Sequence, residues 1–157
     1  LTRFEWEHWR PITAIQREGI WLESGRDVYD PDWVPLLRPT PSHQDYVSTH
    51  AIFGAAGAAV LKNFNGGDEI DASFSSNVTL DGQGVITRHF TSLEYAAYEN
   101  ARSRIFGGVS VISQDSRWPM LRVTQIHFTY AGDAGLEQGY AIAEKTLELF
   151  DDKWDQF

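Results

Sequence analysis

Three short stretches of this chain carry residue types suited to holding an anion and moving a proton beside it. The first, Arg3-Phe4-Glu5-Trp6-Glu7-His8-Trp9-Arg10-Pro11, sets two arginines six residues apart. The second, Asp45-Tyr46-Val47-Ser48-Thr49-His50-Ala51, opens an alanine-rich run. The third is Ser103-Arg104-Ile105-Phe106-Gly107-Gly108. A guanidinium offers a planar, permanently charged fork to anionic oxygens. A serine hydroxyl and the free N–H groups of a helix start add uncharged donors, aided by the helix dipole. An imidazole changes charge near neutral pH and can shuttle protons. Each element also has a plain reading when taken singly. Arg3 or Arg10 suits a surface ion pair, Ser48 a helix cap and His50 a hydrogen-bonded core position, while Ser103-Arg104 alone says almost nothing.

Charge makes the arginines informative. Lysine plus arginine is 13 and aspartate plus glutamate 22, for a formal net charge of −9. Such a balance argues against non-specific nucleic-acid or anionic-membrane binding, which needs clustered positive charge. Any bound anion must be held by a few local cations against the global field. The absence of cysteine excludes disulfides and thiolate metal sites. The most apolar run, residues 51–61, is too short to span a bilayer, so the chain reads as soluble. The sequon Asn77-Val78-Thr79 would suit a secreted protein, and Leu1 is not an initiator methionine, so a true start could precede it. The length suits one domain over residues 1–157.

The elements that must position these residues read as helices. Residues 5–17 space Trp9, Ile12 and Ile15 for one face. Pro31, Pro35, Pro39 and Pro41 forbid a long helix over residues 27–44. Residues 46–64 read as a strong helix whose Gly54, Ala55, Ala58 and Ala59 would let a neighbour approach closely; Asn65-Gly66-Gly67-Asp68 ends it in a turn. Residues 72–89 suit a small hairpin or an irregular loop. Thr91 or Ser92 is a good N-cap for a helix to about residue 106. A last helix runs from about residue 132 to 154, with Leu136, Tyr140, Ala143, Leu147 and Phe150 on one stripe. Four helices and little strand indicate an all-α packing.

Taken in order, the three stretches resemble the signature of the vanadium-dependent haloperoxidase and type 2 phosphatidic acid phosphatase superfamily. That signature is a basic residue, six residues, then Arg-Pro; next Pro-Ser-Gly-His; last Ser-Arg, five residues, then His. Arg3 stands where lysine is usual, and Arg10-Pro11 match directly. Ser48, His50, Ser103 and Arg104 match, whereas Val47 replaces proline and Thr49 replaces glycine. Trp9-Arg10-Pro11 with Thr13-Ala14-Ile15 looks more like the haloperoxidase branch.

The resemblance implies an all-α helical bundle of the haloperoxidase/acid phosphatase type, incomplete at its N-terminus. It implies vanadate as cofactor, with oxygens held by Arg3, Arg10, Ser48, Thr49 and Arg104. His50 would be the acid–base and His127 the metal ligand, bonded to vanadium. The substrates would then be hydrogen peroxide and a halide, oxidised to a hypohalous species. A soluble acid phosphatase would use the same cage for phosphate, with His127 attacking a phosphate ester to give a phosphohistidine and His50 protonating the leaving group. A third reading is a non-catalytic fragment whose exposed apolar face drives self-association into a homo-oligomer. His43 could line the pocket, though a structural role is favoured; His8 and His89 read as structural or exposed.

The third stretch departs from the pattern, because the position expected for histidine is Ser110. Removing residues 109–125 would leave Ser-Arg-Ile-Phe-Gly-Gly-Ile-His and restore the gap with His127 in place. That stretch has 17 residues (125 − 109 + 1), a whole number of codons, and its ends can be encoded by splice-donor and acceptor sequences. Residues 109–125 are therefore read as the translation of an unspliced short intron, the alternative being a genuine surface loop. Ala131 also departs from relatives that carry an aspartate orienting the histidine; Asp133 is the substitute offered by the sequence.

Overall fold

A computed structural model describes residues 7–19, 29–35, 39–77, 84–106 and 126–154, the side chains of Phe106 and of residues 151–154 excepted. The chain divides into two compact units, residues 1–47 with 102–132 and residues 48–101 with 133–157.

In the first unit the helix expected over residues 5–17 is one short segment, α1 (Pro11–Ile15). Proline drives the residue before it out of the helical region. Arg10 is accordingly extended, at φ −75° and ψ 154°, with Pro11 at the first helical position, where its missing N–H costs nothing. Residues 7–10 are not helical, and Arg17 lies 4.4 Å over the Trp9 ring. The described parts of the proline-rich stretch, residues 29–35 and 39–44, hold no helix or strand. Buried groups in this unit include Pro11, Val47, Ile105, Ile126 and Ala131, and with them the polar Arg10, Asp45 and His127. Charged side chains are seldom interior unless paired, so this burial marks a functional candidate.

The second unit begins at Ser48, the N-cap of α2 (Thr49–Asn65). Gly66 ends that helix in the left-handed conformation (φ 72°), which glycine adopts without a Cβ penalty; its N–H and that of Gly67 return to the carbonyls of Asn63 and Lys62. The chain then forms an antiparallel hairpin, β1 (Glu69–Ser76) and β2 (Ile86–Ser92), in which Phe74 faces Arg88 and Ser75 faces Thr87. The all-α expectation holds in outline: the described residues are mostly helical, with one two-stranded sheet among them. Of the two readings for residues 72–89, the hairpin is the one that forms. β2 passes directly into α3 (Leu93–Phe106), of which residues 93–101 belong to this unit. Ser92 Oγ accepts the Tyr95 N–H (3.0 Å), as expected for the cap. Asp68 supplies two more acceptors, its carbonyl to the Leu93 N–H (3.1 Å) and its carboxylate to the Glu94 N–H (2.9 Å).

α4 (Thr129–Trp154) contributes residues 133–154 and packs against α2 through small residues. A Cβ added at Gly135 would stand 2.7 Å from the Ser48 carbonyl and 2.8 Å from Ala51 Cβ. One added at Gly139 would strike the Ile52 carbonyl and the Ala55 side chain, and one at Gly54 would meet Asn100 Nδ2 at 2.5 Å. The close approach read from the glycines and alanines of α2 is therefore present, against both α3 and α4. Ala58, Leu93 and Ala97 form the buried cluster, with Ile70 and Leu136 packed against it. Phe53 and Phe64 of α2 remain exposed. Among the described residues no helix is long and apolar enough to cross a membrane.

Candidate functional site

Arg10 is fixed before any ligand arrives. Its Nε donates to the His43 main-chain oxygen (2.9 Å) and its Nη1 to the Ile126 main-chain oxygen (2.7 Å), while Nη2 lies 2.9 Å from His43 Nδ1. These contacts explain His43 in the structural role favoured from the sequence. They also hold Nη1 at 3.2 Å from His127 Nε2.

His127 is buried among partners that dictate its tautomer. Nδ1 lies 3.0 Å from the Asp45 main-chain oxygen and 3.0 Å from Asp45 Oδ1. A carbonyl and a carboxylate can only accept, so Nδ1 carries the proton. Arg10 Nη1, which can only donate, lies 3.2 Å from Nε2 and 3.4 Å from Nδ1; with the proton on Nδ1, Nε2 keeps its lone pair. The Nδ1–H is directed at the carbonyl; Oδ1, equally close, makes no hydrogen bond of its own. The backbone completes the cradle: the His127 N–H donates to the Arg104 carbonyl (3.3 Å), and the Phe128 N–H to Asp45 Oδ2 (3.3 Å). The Asp45 N–H in turn donates to the His8 carbonyl (3.0 Å).

An aromatic wall adjoins this network. Tyr130 Oη lies 2.9 Å from His8 Nδ1, and its ring packs near Tyr46 and Phe128. Burial, then the negative charge of Asp45, then Tyr46, push the Tyr130 hydroxyl up to about 12.

Two buried donors have nothing to bind among the described residues. Arg104 Nε is buried without a hydrogen-bond partner, and desolvation pushes the guanidinium below its ordinary range. An arginine stays protonated regardless, so the charge is poorly compensated. Ser48 is fully buried at the N-cap of α2, yet its hydroxyl neither caps the helix nor bonds elsewhere. Both belong to the residues singled out from the sequence.

Of that set, Arg10, Arg104 and His127 lie in the first unit; Ser48, Thr49 and His50 are consecutive at the start of α2 in the second. His50 is exposed, and its carbonyl accepts from Asn100 Nδ2 (2.7 Å). Arg3 and residues 109–125 fall outside the described residues. His8 belongs to the aromatic wall, and His89 pairs with Ser73 on the exposed hairpin (3.1 Å). Sequence reasoning missed Asp45, whose carboxylate lies beside the His127 ring where Asp133 had been considered. A lone aspartate ahead of a helix reads as a cap or a solvated charge, and only folding brings residue 45 against residue 127.

Comparison with known proteins gives the family and the fold. The vanadium chloroperoxidase of Curvularia inaequalis is 28% identical over a match that covers 68% of this chain and 24% of that protein. The chain thus spans about a quarter of the length of this curated relative. The holo form of a bacterial vanadium-dependent chloroperoxidase superposes with a TM-score of 0.60 at 18% identity, over 86% of this chain and 28% of that one. Its apo form gives 0.59 at 18%, over 86% and 29%. At this identity the likeness speaks for the fold alone. The model of the VCPO second helical-bundle domain matches residues 2–118, more than half of the sequence, and the chain therefore belongs to that family, within the vanadium haloperoxidase superfamily.

Proposed function

We propose that this chain forms an oxyanion site of the vanadate-dependent haloperoxidase kind, oxidising a halide with hydrogen peroxide. The observation that carries the reading is the orphaned, buried Nε of Arg104, in the compact unit that also holds Arg10 and His127. Leaving a donor buried and unmatched costs about 1–3 kcal/mol. A charged donor fits the oxygens of a tetrahedral anion, and its pre-formed state suits electrostatic preorganisation; Ser48 Oγ, in the other unit, is a second buried donor with no match among the described residues.

In this reading, which rests on the motif resemblance, Arg3, Arg10, Arg104, Ser48 and the Thr49 region would hold the oxygens of the anion. His127 would offer the Nε2 electron pair to the vanadium, and His50, open to solvent, would serve as the acid–base. The bound vanadate supplies the Lewis-acidic centre at which peroxide becomes an oxidant toward halide. Arg10 keeps its anchors to His43 and Ile126 while presenting charge beside Nε2, so the anion meets a cation whose position is already fixed. The names of the relatives support vanadate over phosphate as the resident anion.

The test is vanadate titration of the full chain, followed by monochlorodimedone halogenation with peroxide and, in parallel, p-nitrophenyl phosphate hydrolysis. Saturable vanadate binding with halogenation supports the reading. Hydrolysis without halogenation assigns the same cage to phosphoryl transfer, and absence of binding rejects both.

A further inference from the structure

We propose that Asp45 is the positioning residue of His127, holding the ring so that Nε2 alone is presented to an incoming oxyanion. The inference rests on His127 being the anion-linking residue, and deepens that reading by naming the group that orients it.

Several constraints meet at this one aspartate. Its main-chain oxygen takes the Nδ1–H of His127 at 3.0 Å, while Oδ1 lies equally close to the same nitrogen. Its second carboxylate oxygen, Oδ2, takes the N–H of Phe128, the next residue along (3.3 Å). Asp45 therefore holds the ring through its main-chain oxygen and the backbone that bears the ring through its side chain. Asp45 is itself pinned by its N–H to the His8 carbonyl (3.0 Å). The aspartate has no exposed surface, and its nearest cation is the Arg10 guanidinium at 3.8 Å.

Burying a carboxylate that weakly compensated is costly. A residue needed only to accept one N–H could have been any type, since the main-chain oxygen does that already. What the carboxylate adds is negative charge on the Nδ1 edge. That charge favours the Nδ1–H tautomer over its alternative and makes Nε2 the better electron-pair donor. Oδ1, with no hydrogen bond of its own, can take the Nδ1 proton's hydrogen bond after a small ring rotation, so the ring keeps an acceptor as it moves toward a ligand.

The experiment uses the full chain labelled with nitrogen-15 in its histidines. In the ligand-free wild type the ring nitrogens of His127 should report the Nδ1–H tautomer. Asp45→Asn, which keeps the shape and the main-chain acceptor but removes the charge, should raise the Nε2–H population and weaken vanadate binding about 10- to 100-fold. Asp45→Glu should recover part of both losses. An Nε2–H ring in the wild type overturns the proposal, as does Asp45→Asn with unchanged tautomer and unchanged affinity. If Asp45→Asn does not fold, the wild-type spectrum and Asp45→Glu decide. A wild-type chain that binds no vanadate rejects the functional reading, whereas the nitrogen spectrum still tests the orientation of the ring.

Discussion

Side chains that await a ligand should reveal themselves by trading stability for binding. Ser48 Oγ is buried with no partner, so Ser48→Ala removes an unmatched polar atom worth about 1–3 kcal/mol. The expected result is a melting temperature equal to or a few degrees above wild type, together with weaker vanadate binding. Arg104→Met, which keeps the aliphatic stem and deletes the charge, should likewise leave the melting temperature unchanged or higher while abolishing vanadate binding. A sharp fall in melting temperature for both variants would show that the two groups serve the fold. Tyr130 gives a pH signature with a definite sign. Its folded pKa, raised to about 12 from an ordinary 10, favours the neutral phenol. The folded state thus holds a proton that the unfolded chain releases between these values, and the Tyr130 contribution is full below about pH 10 and lost as pH rises toward 12. Denaturant melts should show wild type losing stability relative to Tyr130→Phe as pH rises from about 10 toward 12, with a constant difference below that range.

At the level of elements, the contact between α2 and α4 depends on two missing side chains. Gly139→Ala would drive a methyl into the Ile52 carbonyl, and Gly135→Ala would drive one against the Ser48 carbonyl. Alanine favours a helix over glycine by about 1 kcal/mol, but overpacking costs about 1–3 kcal/mol, so both variants should melt lower. Gly57 on α2 has open space where its Cβ would be, and Gly57→Ala should melt higher by the propensity gain alone. These opposite signs, read from thermal melts of three single variants, check the packing without reference to activity. The Gly135 contact at the Ser48 carbonyl also ties helix packing to the start of α2. Gly135→Ala should therefore weaken vanadate binding more than Gly139→Ala.

For the molecule as a whole, the sharpest question is the segment 109–125. The His127 N–H reaches the Arg104 carbonyl at 3.3 Å, so the backbone on either side of the segment is already joined. Closing a loop of this size differs from closing a shorter one by only about 1 kcal/mol. A chain lacking residues 109–125 should accordingly fold with a melting temperature within a few degrees of wild type and bind vanadate at least as well. Loss of folding on deletion would make the segment a working part of the protein. A mature transcript that still encodes Gln114-Asp115-Ser116 would end the intron reading independently.

Much of the architecture was legible because it depends on local chemistry. The α2 boundaries, the Gly66 stop and the Ser92 cap follow from propensity and capping, and the ordered arginine, serine and histidine motifs pointed to the family. Pro11 limited α1 more severely than the apolar spacing suggested, since one proline outweighs a weak periodic pattern. What the linear order could not supply was partnership. It left open whether residues 72–89 form paired strands, because pairing needs a second strand in register. It did not show that Ser48 Oγ and Arg104 Nε lack partners among the described residues, or that Asp45 meets the ring of His127. Burial and proton position are set by neighbours distant along the chain, and folding alone decides which groups become neighbours.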